Sequence, residues 1–152
     1  MQKKEREITD ISEIEAIIKK SINCRIGLID GDEPYVVPVC FGYERGALYF
    51  HGALEGRKVE LIEKNDRVSF EMEADVETVF ATSPCDWTMK YRSVIGVGKA
   101  RIVESDGEKI HGLELIMKHY SEGEFSFPKS RLDLSSVVRV DIERITGKQS
   151  GY

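Results

Sequence analysis

Isoleucines at positions 11, 14, 17 and 18 recur with the spacing of one helical face, which predicts an amphipathic helix over residues 11–20. Asp10-Ile-Ser-Glu13 ahead of it has the form of a capping box, with Asp10 accepting from the first turn and Glu13 reaching back. From Arg25 the apolar period drops to two. Strands are expected near 25–30, 35–43 and 47–51, with turns at Gly31-Asp32 and Arg45-Gly46. A short helix near 57–65 ends around Asn65. Val68, Phe70 and Met72 then alternate with Ser69, Glu71 and Glu73, as in a strand with one wet face. A further strand near 76–81 runs into the loop Thr82–Trp87, marked by Pro84. Tyr91–Val103 is the longest strand candidate, and Gly96 and Gly98 within it signal a bulge or the close approach of something flat. Ser105-Asp-Gly107 turns the chain into a second amphipathic helix with Ile110, Leu113, Met117 and Tyr120 on one face. Glu122–Ser136, with Pro128, reads as a long surface loop. Val138, Val140 and Ile142 form a final strand, followed by the tail Thr146-Gly-Lys-Gln-Ser150.

Consecutive strands joined by tight turns favour antiparallel pairing, and seven short strands suffice for a small barrel. The expected fold is therefore mainly β, an antiparallel barrel of about six to seven strands with peripheral α-helices. Such a barrel fills its interior with side chains, so a cofactor has to lie outside it, with a subunit interface as the obvious cover. At 152 residues, with no internal repeat and no boundary, residues 1–152 are expected to form one domain.

Charge changes this picture mainly by exclusion. A net charge of −5 and the lack of a basic run argue against a nucleic-acid surface. Lys3-Lys4-Glu5-Arg6-Glu7 mixes both signs and reads as a frayed terminus. No apolar segment approaches the roughly 20 residues that span a bilayer, and no signal-peptide core follows the first charges; a cytoplasmic location is expected. Cys24, Cys40 and Cys85 are odd in number and lack a CxxC pair, against both a disulfide framework and a zinc knuckle. Cys24 and Cys40 sit in apolar strand contexts and are expected to be buried, whereas Cys85 lies in a loop.

The chemistry concentrates between Tyr35 and Lys58. After the strand that ends at His51 the chain breaks at Gly52-Ala53 and again at Gly56, and starts a helix with Arg57 and Lys58. Unpaired N–H groups and the helix dipole make such an N-terminus attract phosphate. Two cations in the first turn oppose the dipole unless an anion sits there. Read structurally, they are two solvated surface cations beside Glu55 and Glu60.

The ordered set Pro34-Tyr-Val-Val-Pro-Val-Cys-Phe-Gly-Tyr43, Leu48-Tyr-Phe-His-Gly-Ala53 and Gly56-Arg-Lys58 resembles the flavin-binding core of the pyridoxamine 5′-phosphate oxidase-like split barrels. Cys85-Asp-Trp-Thr-Met-Lys-Tyr-Arg-Ser-Val-Ile95 and Ile145-Thr-Gly-Lys148 are similar to the branch that includes the 5-nitroimidazole-resistance proteins. The resemblance implies a split barrel of Greek-key-like order. It also implies a homodimer with two FMN molecules at the interface, both subunits contributing to each. Val37, Pro38 and Val39 would then supply backbone contacts to the ring's polar edge, and Phe50, His51 and Gly52 would line the flavin. Arg57 and Lys58 would grip the phosphate. Trp87, Tyr91 and Ser93 would complete the site, from the partner subunit or from the same one, with Lys148 approaching cofactor or substrate.

Each of these residues also has a purely structural reading. Pro38 fits a simple edge strand, since proline cannot donate to a ladder. His51, the one catalytic candidate, is either a proton donor near the flavin or a strand-end residue. Trp87 is either an aromatic wall or the anchor of its loop. His111 and His119 sit a little over two turns apart on the second helix, nearly a right angle round from each other, and make a poor metal pair. Ser93 lacks the companions of a hydrolase triad, and Gly52 with Gly56 fits neither a Walker loop nor a dinucleotide fingerprint. The leading expectation is an FMN-dependent oxidoreductase that passes hydride to a small electron-poor acceptor such as a nitroaromatic; the alternative is a flavin-binding or sensor protein without efficient turnover.

Overall fold

The computed structural model describes residues 4–152; Met1–Lys3 lie outside the described residues. Its elements in chain order are β1 (Glu7–Ile8), α1 (Ile11–Lys20), β2 (Cys24–Asp30), β3 (Glu33–Val39), β4 (Phe41–Glu44) and β5 (Ala47–Ala53), followed by α2 (Arg57–Lys64) and β6 (Arg67–Val79). β7 (Thr88–Ile102), α3 (Asp106–Tyr120), α4 (Lys129–Leu132) and β8 (Ser135–Ser150) complete the chain. The strands form one antiparallel sheet of eight, in the order β3-β2-β6-β7-β8-β5-β4, with β1 added to β8. β3 and β4 follow each other in the chain yet end the sheet on opposite sides. The sheet thus curls into the expected barrel and stays split between those two edges.

One face of the curled sheet makes the core. Ile26, Leu28, Phe41, Leu48, Phe50, Phe70, Met72, Val94, Val138 and Val140 pack together with Ile14, Ile17 and Ile18 of α1. A smaller cluster of Ala47, Tyr49, Val103, Ile116 and Val137 lies under α3 on the other side of β5 and β8. An eight-residue helix such as α2 is not stable alone. It is held by burying Leu61 and Ile62, each stabilising by about 1.5–3 kcal/mol. That anchorage fixes where Arg57 and Lys58 stand.

Asp10 caps α1 by accepting from the Ser12 and Glu13 amides, while no return bond from Glu13 forms among the described residues. The strand expected over 35–43 is divided at Cys40, which is exposed rather than buried. Cys24 is buried as expected, and burial pushes its thiol up to about 12. The separate strands expected at 68–73 and 76–81 are one strand, β6, with a register shift between Ala74 and Glu77. Asp75 sits there at φ 55, a left-handed conformation that aspartate tolerates better than most residues. The extra residue breaks the alternation, which is why the pattern reads as two strands.

Larger corrections concern both termini and α3. The tail Thr146–Ser150 is not a tail: β8 runs 16 residues, longer than β7, and pairs with β7, β5 and β1. The expected fraying holds for neither Arg6, in a 3-10 turn, nor Glu7, which pairs with Lys148; Lys3 lies outside the described residues. α3 buries Gly112 and Ile116; of the predicted stripe, Leu113 packs against that cluster and Ile110 is half-buried, whereas Met117 and Tyr120 are exposed. Gly112 has no side chain because Tyr49 lies where its Cβ would be. Small residues carry no hydropathy signal, so the true face leaves no mark in the sequence. The loop expected over 122–136 contains α4 and the first residues of β8.

Candidate functional site

A pocket of about 200 Å³ opens at the split of the barrel, between β3, the end of β5, the start of α2 and the start of β8. Tyr35, Phe50, Gly52, Gly56, Arg57, Lys58, Ser136 and Val138 are among its lining residues. Gly56 precedes α2 at φ 138, a conformation costly for any other residue, and brings no side chain to cap the helix. The first amides of α2 are therefore uncapped and the positive end of its dipole faces the pocket. Gly52 keeps the floor bare: a Cβ there would stand 3.6 Å from Lys58 Nζ.

The two cations are not equivalent. Arg57 donates to Asp30 Oδ2 through Nη2 at 2.7 Å and Nε at 3.2 Å, and its guanidinium lies 4.2 Å from the Tyr35 ring centroid. The hydrogen bond to Asp30 raises its pKa above the ordinary value. Lys58 makes no ion pair or hydrogen bond among the described residues. Of the two residues, Lys58 is thus the uncommitted charge, and Arg57 is a pre-set one. Asp30 carries no motif signal, and Tyr35 lies within the Pro34–Tyr43 stretch without a role of its own there; their part depends on the β2–β3 hairpin folding back beside α2, where Leu28 pairs with Tyr35 and Asp30 with Glu33.

His51 does not line this pocket. Successive residues of a strand point to opposite faces. Phe50 and Gly52 face the pocket side, so His51 shares the face of Tyr49, toward α3. Although solvent reaches it, partial desolvation lowers its pKa below 6.5, and the nearby Lys58 charge lowers it further. The folded chain then binds fewer protons than the unfolded one as pH falls through 6.5, so His51 begins to cost stability there and the full cost is reached below its folded pKa. Filling the pocket with inorganic phosphate offsets the Lys58 charge. The His51 pKa followed by ring-proton NMR should then move upward, and a titration curve indifferent to phosphate would separate the two residues.

β3 is an edge strand, as the structural reading of Pro38 has it. The same fact leaves one backbone edge of Val37, Pro38 and Val39 unpaired, which is what a ring held by backbone groups requires. Trp87 does not line the pocket at α2 in this chain. It is 52% exposed, packs edge-on to Phe80 at 4.8 Å, and donates from Nε1 to the Ala81 carbonyl at 2.8 Å. Tyr91, Ser93 and Lys148 do come together: Ser93 pairs with Lys148 across β7 and β8, and Lys148 Nζ lies 5.6 Å from the Tyr91 ring centroid. They belong to the outer face of the sheet, and none lines the pocket at α2.

That outer face also carries exposed apolar side chains. Ile29, Val36 and Ile95 alternate outward on β2, β3 and β7, and Val36 is 61% exposed. His111 pairs with Glu44 and His119 bonds the Ser21 carbonyl, so both are packing residues, and no metal-binding cluster occurs among the described residues. No helix among the described residues is long and apolar enough to cross a membrane.

Residues 10–149 match the family described as pyridoxamine 5′-phosphate oxidase. Among solved structures, the chain is similar to a candidate 5-nitroimidazole antibiotic resistance protein from Bacteroides thetaiotaomicron, with 34% identity and a TM-score of 0.85 over 94% of this chain and 86% of that one. It superposes on a flavocytochrome from Azotobacter vinelandii at TM-score 0.83 and 19% identity, covering 96% of this chain and 70% of that one. An FAD- and heme-binding protein from Mycobacterium smegmatis gives TM-score 0.86 at 16% identity, covering 97% and 74%. At those two identities the likeness is one of fold. No curated protein matches the sequence.

Proposed function

Because this chain belongs to the pyridoxamine 5′-phosphate oxidase family, we propose that it is an FMN-binding homodimer and an oxidoreductase acting on a small electron-poor acceptor. The observation that carries the reading is the uncapped start of α2 with the uncommitted Lys58 beside it, at the mouth of a pocket with a glycine floor. A phosphate there offsets the charge of Lys58 and accepts from the free amides. The pre-set Arg57 adds a second positive charge without reordering, since Asp30 and Tyr35 already hold it.

The pocket is smaller than the roughly 300–1,000 Å³ that encloses a drug-sized ligand. It suits a phosphate and part of a ribityl chain, and leaves the tricyclic ring along the free edge of β3. A second copy of the chain supplies the missing cover, which supports the dimer. The apolar side chains of the outer face are the natural contact, and Tyr91, Ser93 and Lys148 on that face would reach the partner's cofactor.

When bound, the flavin supplies the hydride chemistry. This chain's residues hold the phosphate, present backbone groups to the ring edge and keep water from one ring face. Phe50, with Val138 beside it, provides apolar lining at the pocket. His51, lying on the other face of β5, acts on the site through the field it shares with Lys58.

Purified protein incubated with FMN should turn yellow at one flavin per subunit, and reduced holoprotein mixed in single turnover with nitroimidazoles or quinones should reoxidise faster than free FMN. Flavin uptake without faster reoxidation would identify a flavin-binding protein without efficient turnover. A colourless protein would remove the cofactor assignment altogether.

A further inference from the structure

We propose that Ser136 sets the ligand class of the pocket at α2: its oxygen accepts a hydrogen bond from a hydroxyl on the chain that carries the phosphate, so the site selects phosphate esters of polyhydroxylated chains. This deepens the reading above and rests on its phosphate site at Lys58. Ser136 falls in the stretch expected as a surface loop, yet it is 3% exposed, belongs to β8 and stands opposite Gly52 in the ladder.

The hydroxyl already has a use for its proton. Ser136 Oγ donates to the Ala53 carbonyl at 2.7 Å, and nothing donates to it among the described residues. A serine hydroxyl carries one proton and two lone pairs. With the proton committed to the end of β5, the oxygen offers a ligand only its acceptor side. That sets it apart from its surroundings. The α2 amides, Arg57 and Lys58 are all donors, as an anion requires. A phosphate oxygen beside Ser136 would set lone pair against lone pair, whereas a hydroxyl can donate there.

Position says which part of the ligand meets it. A Cβ on Gly52 would stand 3.6 Å from Lys58 Nζ and 3.8 Å from Ser136 Oγ, so the ammonium and the hydroxyl oxygen flank the same bare spot. One same-face step back along the ladder, about 7 Å, Phe50 pairs with Val138. The pocket therefore runs from an apolar pair, past an acceptor beside glycine, to the cationic start of α2. A ligand that follows this order is apolar at one end, hydroxylated next to its phosphate, and anionic at the other end. A ribityl phosphate on a flat ring has that order. An alkyl phosphate lacks the middle part, and inorganic phosphate lacks two of the three.

The test compares ligands that differ only in their hydroxyls. Ribitol 5-phosphate and pentyl phosphate are titrated into the protein and followed by 31P NMR. FMN, and a flavin with a phosphopentyl chain in place of the ribityl phosphate, are followed by fluorescence. Ser136→Ala should weaken ribitol 5-phosphate and FMN by roughly three- to tenfold, the loss of one hydrogen bond, and leave both pentyl compounds within about twofold. Ser136→Cys, close in size but with a sulfur that accepts only weakly, should do the same, and decides the matter if the alanine variant does not fold. A serine that merely ties β5 to β8, or one that turns its proton to the phosphate, would weaken every ligand alike, and that result overturns the proposal. So does a ribitol 5-phosphate signal that never responds, or an affinity untouched by both variants. A Ser136-dependent preference for ribitol 5-phosphate in a protein that takes up no FMN would remove the flavin reading and leave this one standing. FMN uptake with ribityl and pentyl chains responding equally to the variants would do the reverse.

Discussion

Lys58→Ala should weaken FMN binding by roughly 10- to 100-fold, the loss of one charge-assisted hydrogen bond of about 1.5–3 kcal/mol to a phosphate. The melting temperature of the flavin-free chain should move by no more than about 2 °C, because the side chain makes no ion pair or hydrogen bond among the described residues and surface substitutions stay within about 0.5 kcal/mol. Adding Arg57→Ala should lower affinity further, since it removes the second cation and leaves the Asp30 carboxylate without its partner. Fluorescence titration of FMN against each variant reads both effects. An affinity unchanged in the double variant would reject the phosphate site, and a large fall in apo stability would turn Lys58 into a structural residue.

Gly96→Ala should destabilise the fold severely for a single methyl group. A Cβ on Gly96 would stand 2.1 Å from Cζ of Phe70, whose ring is 1% exposed and packed on all sides. Overpacking of this kind costs about 1–3 kcal/mol or more, so the melting temperature should fall by roughly 3–10 °C for a chain of this length. Combining it with Phe70→Leu, which shortens the opposing side chain, should return part of that loss beyond what either change alone predicts. Strictly additive effects in this double-mutant cycle would mean the ring does not cover the glycine.

Gly96 also marks how far local composition reaches. A glycine inside a strand of β-branched residues announces either a bulge or a flat neighbour, and both are present, two residues apart and both at buried positions. The bulge is at Gly98, where the register with β8 shifts and a Cβ would stand 2.2 Å from the Asp141 carbonyl oxygen. The flat neighbour is an aromatic ring of the core and not a cofactor. Local composition can say that something approaches; which thing approaches depends on a strand 26 positions earlier in the chain.

The cofactor candidates divide in the same way. Gly52, Gly56, Arg57 and Lys58 are legible because breaks, helix start and charge lie within seven residues, and one pocket holds all four. His51 belongs to the same stretch but points away, since a strand alternates its side chains and the motif includes both faces. Trp87 cannot be placed from sequence because a loop has no period from which to infer direction; its indole is taken up by Phe80 and Ala81. Asp30 and Ser136 have no local signature, and Tyr35 lies in the Pro34–Tyr43 stretch without any sign of its place beside Arg57. Each gains its part from a partner on another element of the fold.

Alternation, turn residues and the cap at Asp10 are enough to specify most strands, α1 and α2, because those signals act over a few neighbouring residues. Long-range pairing settles the rest. β8 extends through the supposed tail because β1 and β7 offer it hydrogen bonds on both sides, and the true face of α3 is chosen by Tyr49 filling the space above Gly112. Above all, folding commits Arg57 to Asp30 and leaves Lys58 without an ion pair or hydrogen bond among the described residues, a distinction between two adjacent cations that no reading of their order could make.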